Sequence, residues 1–140
     1  MKIKRKKILA ALTKVSWAIP GKPLIFIWGH VLIEKESGIT SIHCNNGREA
    51  LTLVVDREED GSKDESIGVE ARKLIAYLKK SYAEEVEITT ASRKGYQEEI
   101  ITVSDGESKA ILEGSKPSEF TEVRFVPEIG VINIPSSLNS

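Results

Sequence analysis

The sequence predicts an α+β domain in which two amphipathic helices back antiparallel sheets, built as a duplicated β-α-β-β-β unit. Three observations carry that expectation. The order strand, helix, three strands occurs twice, with little residue identity between the halves. Apolar residues recur at helical spacing in two stretches only, and elsewhere they alternate or gather in β-branched and aromatic runs. Short clusters of Gly, Asn and Asp separate those runs at hairpin spacing. With 140 residues, about 40% of them hydrophobic, the chain is sized for one core.

Alternation over Lys2 to Arg5 predicts a short strand, and Ile8, Leu9, Leu12 and Val15 then recur as the stripe of a helix that also carries Lys6, Lys7 and Lys14. The helix is expected to stop near Ala18, because Pro20, Gly21 and Pro23 follow. The run "LIFIWGHVLIE" over 24–34 reads as a strand, Ser37-Gly38 as a turn, "ITSIHC" as a second strand, Asn45-Asn46-Gly47 as a turn, and "EALTLVV" as a third strand. After the polar stretch "DREEDGSKDE" over 56–65, Ser66 to Val69 starts the second unit. Ala71, Leu74, Ile75 and Leu78 form its helical stripe. The strands "EEVEITTAS", "YQEEIITVS" and "SKAILEG" complete it, separated by Arg93-Lys94-Gly95 and Asp105-Gly106. Trp17 and Trp28 are read as core or helix–sheet packing residues.

Charge is segregated along the chain. Residues 1–22 carry seven Lys or Arg and no acid, segment 70–80 adds four bases against Glu70, and the other 107 residues hold 9 bases against 20 acids. Such a division suits a polyanion on one face of an acidic body; two solvated helices are the plainer explanation. No apolar run approaches the roughly 20 residues a membrane span needs. A soluble, unprocessed, cytosolic protein without membrane contact is expected. Cys44 is the only cysteine, which excludes an internal disulfide, a thiolate zinc cluster and a CxxC redox motif.

Several stretches resemble the first domain of the bacterial DNA polymerase III β subunit, the sliding clamp. "ILAALTKVSWAI" and "GKPLIFIWGHVLIE" resemble that family's first helix, its basic Gly-Arg-Pro-like turn and its long second strand. "GVEARKLIAYLKK" resembles its Ala-Arg-Lys opening of the second helix, and "AILEGSKPSEF" its last strand and Pro-Ala-x-x-Phe exit. "VINIPSSLNS" resembles the strand and helix start of the next clamp domain. On this resemblance residues 1–127 are clamp domain 1, and 128–140 are a linker and the start of a second clamp domain. A polar chain terminus is the alternative for 128–140.

The resemblance implies the clamp (processivity) fold and a non-catalytic role: a domain that helps encircle duplex DNA and tether a replicative polymerase. The implied partners are double-stranded DNA, other clamp domains in a ring, and a polymerase and clamp loader reached through a longer protein. No cofactor is implied. By position in the motif, Lys22 and Arg72 match residues that face DNA in the family, and Lys73 stands beside Arg72. Helix geometry adds Lys14, Lys79 and Lys80, which fall off the apolar stripes. The family closes its ring with the last strand of this domain, so Ala110 and Leu112 are candidate subunit-interface residues; ordinary core packing explains them equally. The peptide-binding cleft of clamps lies mainly in the C-terminal domain, so peptide binding is not expected here. The competing reading is a standalone clamp-fold oligomerisation or protein-interaction module without DNA binding.

Catalytic and metal readings find little support. His43 and Cys44 are adjacent in a strand and point to opposite faces, and neither they nor His30 have a third ligand at a recognisable spacing. Asp56, Glu58, Asp60 and Gly61 imitate part of a calcium loop, but Ile67 stands where the bidentate Glu belongs. There is no phosphate-binding Gly-rich loop or nucleophile elbow.

Overall fold

The computed structural model describes residues 1–20, 22, 25–58, 63–92 and 99–120. Both units take the expected order. The first comprises β1 (Lys2–Lys4), α1 (Arg5–Val15), β2 (His30–Glu36), β3 (Ile39–Asn45) and β4 (Ala50–Arg57). The second comprises β5 (Glu65–Glu70), α2 (Ala71–Lys80), β6 (Glu85–Ser92), β7 (Glu99–Ser104) and β8 (Lys109–Ser115).

All eight strands join one curled antiparallel sheet in the order β1-β6-β7-β8-β5-β2-β3-β4. Each unit lends its opening strand to the other. β1 pairs with β6 through Ile3 opposite Val86, and β5 pairs with β2 through Ile67 opposite Ile33. This exchange makes the two units one body with a single main core. Ile8, Leu12 and Val15 of α1 and Leu74 and Leu78 of α2 press onto Ile33, Ile42, Val69, Ile88, Ile101 and Val103 of the sheet. Each such side chain stabilises the fold by about 1.5–3 kcal/mol relative to exposure.

Turn chemistry placed the strands well. Ser37 and Gly38 both take positive φ (51° and 81°), as a tight hairpin turn requires, and Gly106 does so at 93°. Gly47 (φ 91°) serves a second purpose, because the ring of Trp28 lies against it where a Cβ would clash. The Arg93-Lys94-Gly95 turn, Asp60 and Gly61 of the acidic loop, and residues 121–140 fall outside the described residues.

Two expectations need correction. Residues Phe26–Gly29 form a short 3-10 turn, and β2 begins only at His30. An apolar run with neither period looks like a strand, but Leu32 and Ile27 of this run turn with Phe120 into a second small cluster, and Trp28 packs against it half-buried. The other correction is Trp17, which is not a packing residue: it is 66% exposed, on the 3-10 turn Ser16–Ala18 that follows α1.

Candidate nucleic-acid interface

Both helices are strongly basic off the stripes that pack on the sheet, although Lys7 reaches across to Asp56 of β4 at 2.8 Å. α1 carries Arg5, Lys6, Lys7 and Lys14, α2 carries Arg72, Lys73, Lys79 and Lys80, and neither contains an acid. Each first turn is basic and lacks a side-chain cap, so the positive end of each helix dipole adds to the charge around it. The cations remain despite this cost, a local conflict of the kind found at functional surfaces.

Two arginines hold the helices side by side. Arg5, at the start of α1, donates from Nε to the Ala83 carbonyl (2.7 Å) and from Nη1 to the Leu78 carbonyl (3.1 Å) at the end of α2. Arg72, at the start of α2, donates from Nη2 to the Ile19 carbonyl (2.7 Å) just beyond α1. Each helix start is thus tied to the other's end, so the pair is antiparallel. Between them runs a shallow groove of about 150 Å³ lined by Thr13, Ser16, Arg72, Ile75 and Lys79.

The structure brings part of the expected set together. Arg72 and Lys79, seven residues apart and so on one helical stripe, line the groove. Lys73 and Lys80 form a second exposed stripe on α2, and Lys73 lies 3.7 Å from Glu70. Lys14 is exposed on α1 outside the groove, and Lys22 is exposed beyond it. Arg72 serves partly as a structural tie, which its sequence position did not suggest. Arg5 is the tie that sequence reasoning missed, since its partners are 73 and 78 residues away.

Hydroxyls and carboxylates fix the far end of α2. The Tyr77 hydroxyl bonds to the Ser108 carbonyl (3.0 Å) and hydroxyl (2.9 Å). Ser81 Oγ donates to Asp105 Oδ2 (2.7 Å), and with the Glu107 and Ser108 amides this holds the Asp105 carboxyl well below the usual range. These ties keep that end of α2 in place.

On β8, Ala110 and Leu112 turn inward: Leu112 is part of the core and Ala110 packs on it, while Ile111 between them is 75% exposed. β8 meets β5 only at Gly68 opposite Ser115 and Val69 opposite Gly114, where the chain leaves β5 for α2. Among the described residues, Lys109 to Glu113 therefore have no strand on the β5 side. What this strand offers a neighbour is its backbone and Ile111.

The histidines and cysteine are occupied structurally. His43 bonds Glu34 Oε1 (3.0 Å) and Thr52 Oγ1 (2.8 Å) across three strands. Cys44 points into the core, where burial pushes its thiol up to about 11. His30 is buried against Ser115 Oγ (3.0 Å), and burial lowers its pKa to about 4. No group of three His, Cys, Asp or Glu among the described residues is placed to hold a metal. Nor is any helix among them long and apolar enough to cross a membrane.

An exchanged pair of β-α-β-β-β units, with two basic helices on one side of a curled sheet, defines a domain of the DNA-clamp fold. More specifically, the chain belongs to the DNA polymerase III beta subunit family: the model of that family's N-terminal domain matches residues 1–126. Solved structures agree. A DNA polymerase III subunit beta of Pseudomonas aeruginosa aligns at TM-score 0.69 and 25% identity over 99% of this chain and 34% of its own. A sliding clamp of the same organism bound to griselimycin aligns at 0.72 and 23% over 99% and 34%. The Helicobacter pylori beta clamp in complex with carprofen aligns at 0.70 and 14% over 95% and 32%. The chain spans about a third of the length of these clamps. A search of curated proteins found no match. A sliding clamp is a processivity factor that does no bond chemistry itself.

Proposed function

We propose that this domain forms one segment of a ring around duplex DNA, with the α1/α2 side turned to the DNA and the sheet outward. The observation that carries the reading is the helix pair: eight Lys and Arg and no acid on two helices packed side by side. Lys14, Lys22, Lys73, Lys79 and Lys80, with the outer part of Arg72, attract phosphates without reading bases, so contact is equivalent at every sequence and the ring slides. Through a longer protein such a ring holds a polymerase and meets a clamp loader in the cytoplasm. Residues 1–127 are the first clamp domain in this reading, and 128–140 begin the second. The open backbone of β8 beside Ile111 is the edge a neighbouring clamp domain extends.

The test is duplex-DNA affinity of the chain as a function of salt. Each phosphate contact contributes about 0.9 to the slope of log K against log salt, so Lys79→Glu with Lys80→Glu lowers the slope by about 2. An unchanged slope contradicts the reading. The exposed Ile111 on an open edge favours a second one, association with protein or with itself without DNA; a chain that self-associates and ignores DNA supports it.

A further inference from the structure

The two helices end in the same unusual way. Trp17 stands two residues past the last residue of α1 and is 66% exposed; Tyr82 stands two residues past the last residue of α2 and is 95% exposed. Both segments are clamped by the arginine of the opposite helix, Arg72 on the Ile19 carbonyl beyond Trp17 and Arg5 on the Ala83 carbonyl beside Tyr82. The rings thus stand on fixed backbone at opposite ends of the helix pair, roughly 15 Å apart at 1.5 Å per helical residue.

Their surroundings are cationic. Tyr82 borders a cleft of about 770 Å³ lined by Lys4, Arg5, Lys6 and Lys7 and by Glu84 and Glu85. Near Trp17 lie Arg72 and, five residues on, the exposed Lys22. Two exposed aromatics on fixed backbone beside a lysine-rich surface are the elements of a stacking platform, and duplex DNA cannot use them because its base faces are already stacked. An unpaired base offers the missing flat partner, with its phosphate within reach of the lysines.

We propose that Trp17 and Tyr82 are base-stacking positions that give this domain a grip on single-stranded DNA, at either end of the helix face that tracks the duplex. The inference rests on the DNA-facing role of that helix pair and adds a second substrate class to it. Such a domain slides on duplex and is retarded where the strand opens, as at the end of a primer.

Binding of the 140-residue chain to labelled oligothymidylate and to a hairpin duplex, followed by fluorescence anisotropy, tests this. Trp17→Ala and Tyr82→Ala should each weaken oligothymidylate binding by roughly 5- to 100-fold, as expected for one lost stacked base, and leave duplex binding unchanged. Trp17→Phe should recover most of the loss. Both side chains are exposed, and thermal melting verifies that the variants fold. Unchanged oligothymidylate affinity in either variant overturns the proposal, as does an equal loss on duplex. Failure of the underlying reading shows separately, as duplex binding that Lys79→Glu with Lys80→Glu does not alter.

Discussion

At the seam between β5 and β8 the second unit closes by backbone pairing, whereas at the seam between β1 and β4 the first unit stays open and charged. Counting back from each helix start makes Lys2 the counterpart of Gly68. At Gly68 a Cβ would lie 2.5 Å from Ser115 Oγ and 2.8 Å from the Phe120 ring, so the absence of a side chain is what lets β8 and the following segment approach. His30, Ser115 and Phe120 fill that seam, all at least 97% buried. On the other side, Lys2, Lys4, Lys7, Lys35 and Arg57 line a cleft of about 370 Å³ with Asp56, Glu58 and Glu85. Lys7 there holds Asp56 at 2.8 Å, which lowers the Asp56 pKa, and the buried Lys35 lies 3.4 Å from Glu58. One plan of elements therefore tolerates two kinds of seam, and the paired one has room only because residue 68 lacks a side chain.

Substitutions should read this difference directly. Gly68→Val should destabilise the domain by about 3 kcal/mol in urea unfolding, because backbone and a buried ring stand in the way; a loss under about 0.5 kcal/mol would mean the seam yields. Acid should act on the same seam. The folded pKa of His30 is about 4 against 6.5 for the free group, so the unfolded chain binds the extra proton. Its contribution is full above pH 6.5 and is lost as pH falls toward 4, up to about 3 kcal/mol. His30→Gln should flatten the window, while a midpoint that stays level from pH 7 to 4 in the parent chain would contradict the role given to burial. The open seam should be the more forgiving: Lys35→Met removes a buried charge whose partner Glu58 stays partly solvated, and stability should change by less than about 0.5 kcal/mol.

Local chemistry explains what could be read in the sequence. Ser37-Gly38, Asn45-Asn46-Gly47 and Asp105-Gly106 determine turns within four residues, and the stripes of both helices are periodic, so element order and the basic helices were legible. The 3-10 turn at Phe26–Gly29 was not, because an unbroken apolar run carries no period. Trp17 was misjudged for a related reason: past the end of a helix its neighbours no longer say which way it faces. The ties from Arg5 and Arg72, and the closeness of Gly68 to Ser115, depend on residues 47 to 78 positions apart and exist only once the sheet has formed. Ala110 and Leu112 show the limit of alternation: it places two residues on one face without saying whether that face is core or neighbour.

The claim that the helix pair faces DNA is best tested by placing a reactive thiol. Cys44 is buried with its thiol pushed up to about 11, so it leaves a quiet background. Lys80→Cys puts a thiol on the exposed side of α2, and Thr89→Cys puts one on the exposed face of β6, whose Val86 and Ile88 face the core. With duplex DNA carrying a thiol-reactive tether, the account predicts a cross-link at residue 80 and none at 89. Equal capture at both positions, or capture at 89 alone, would contradict it.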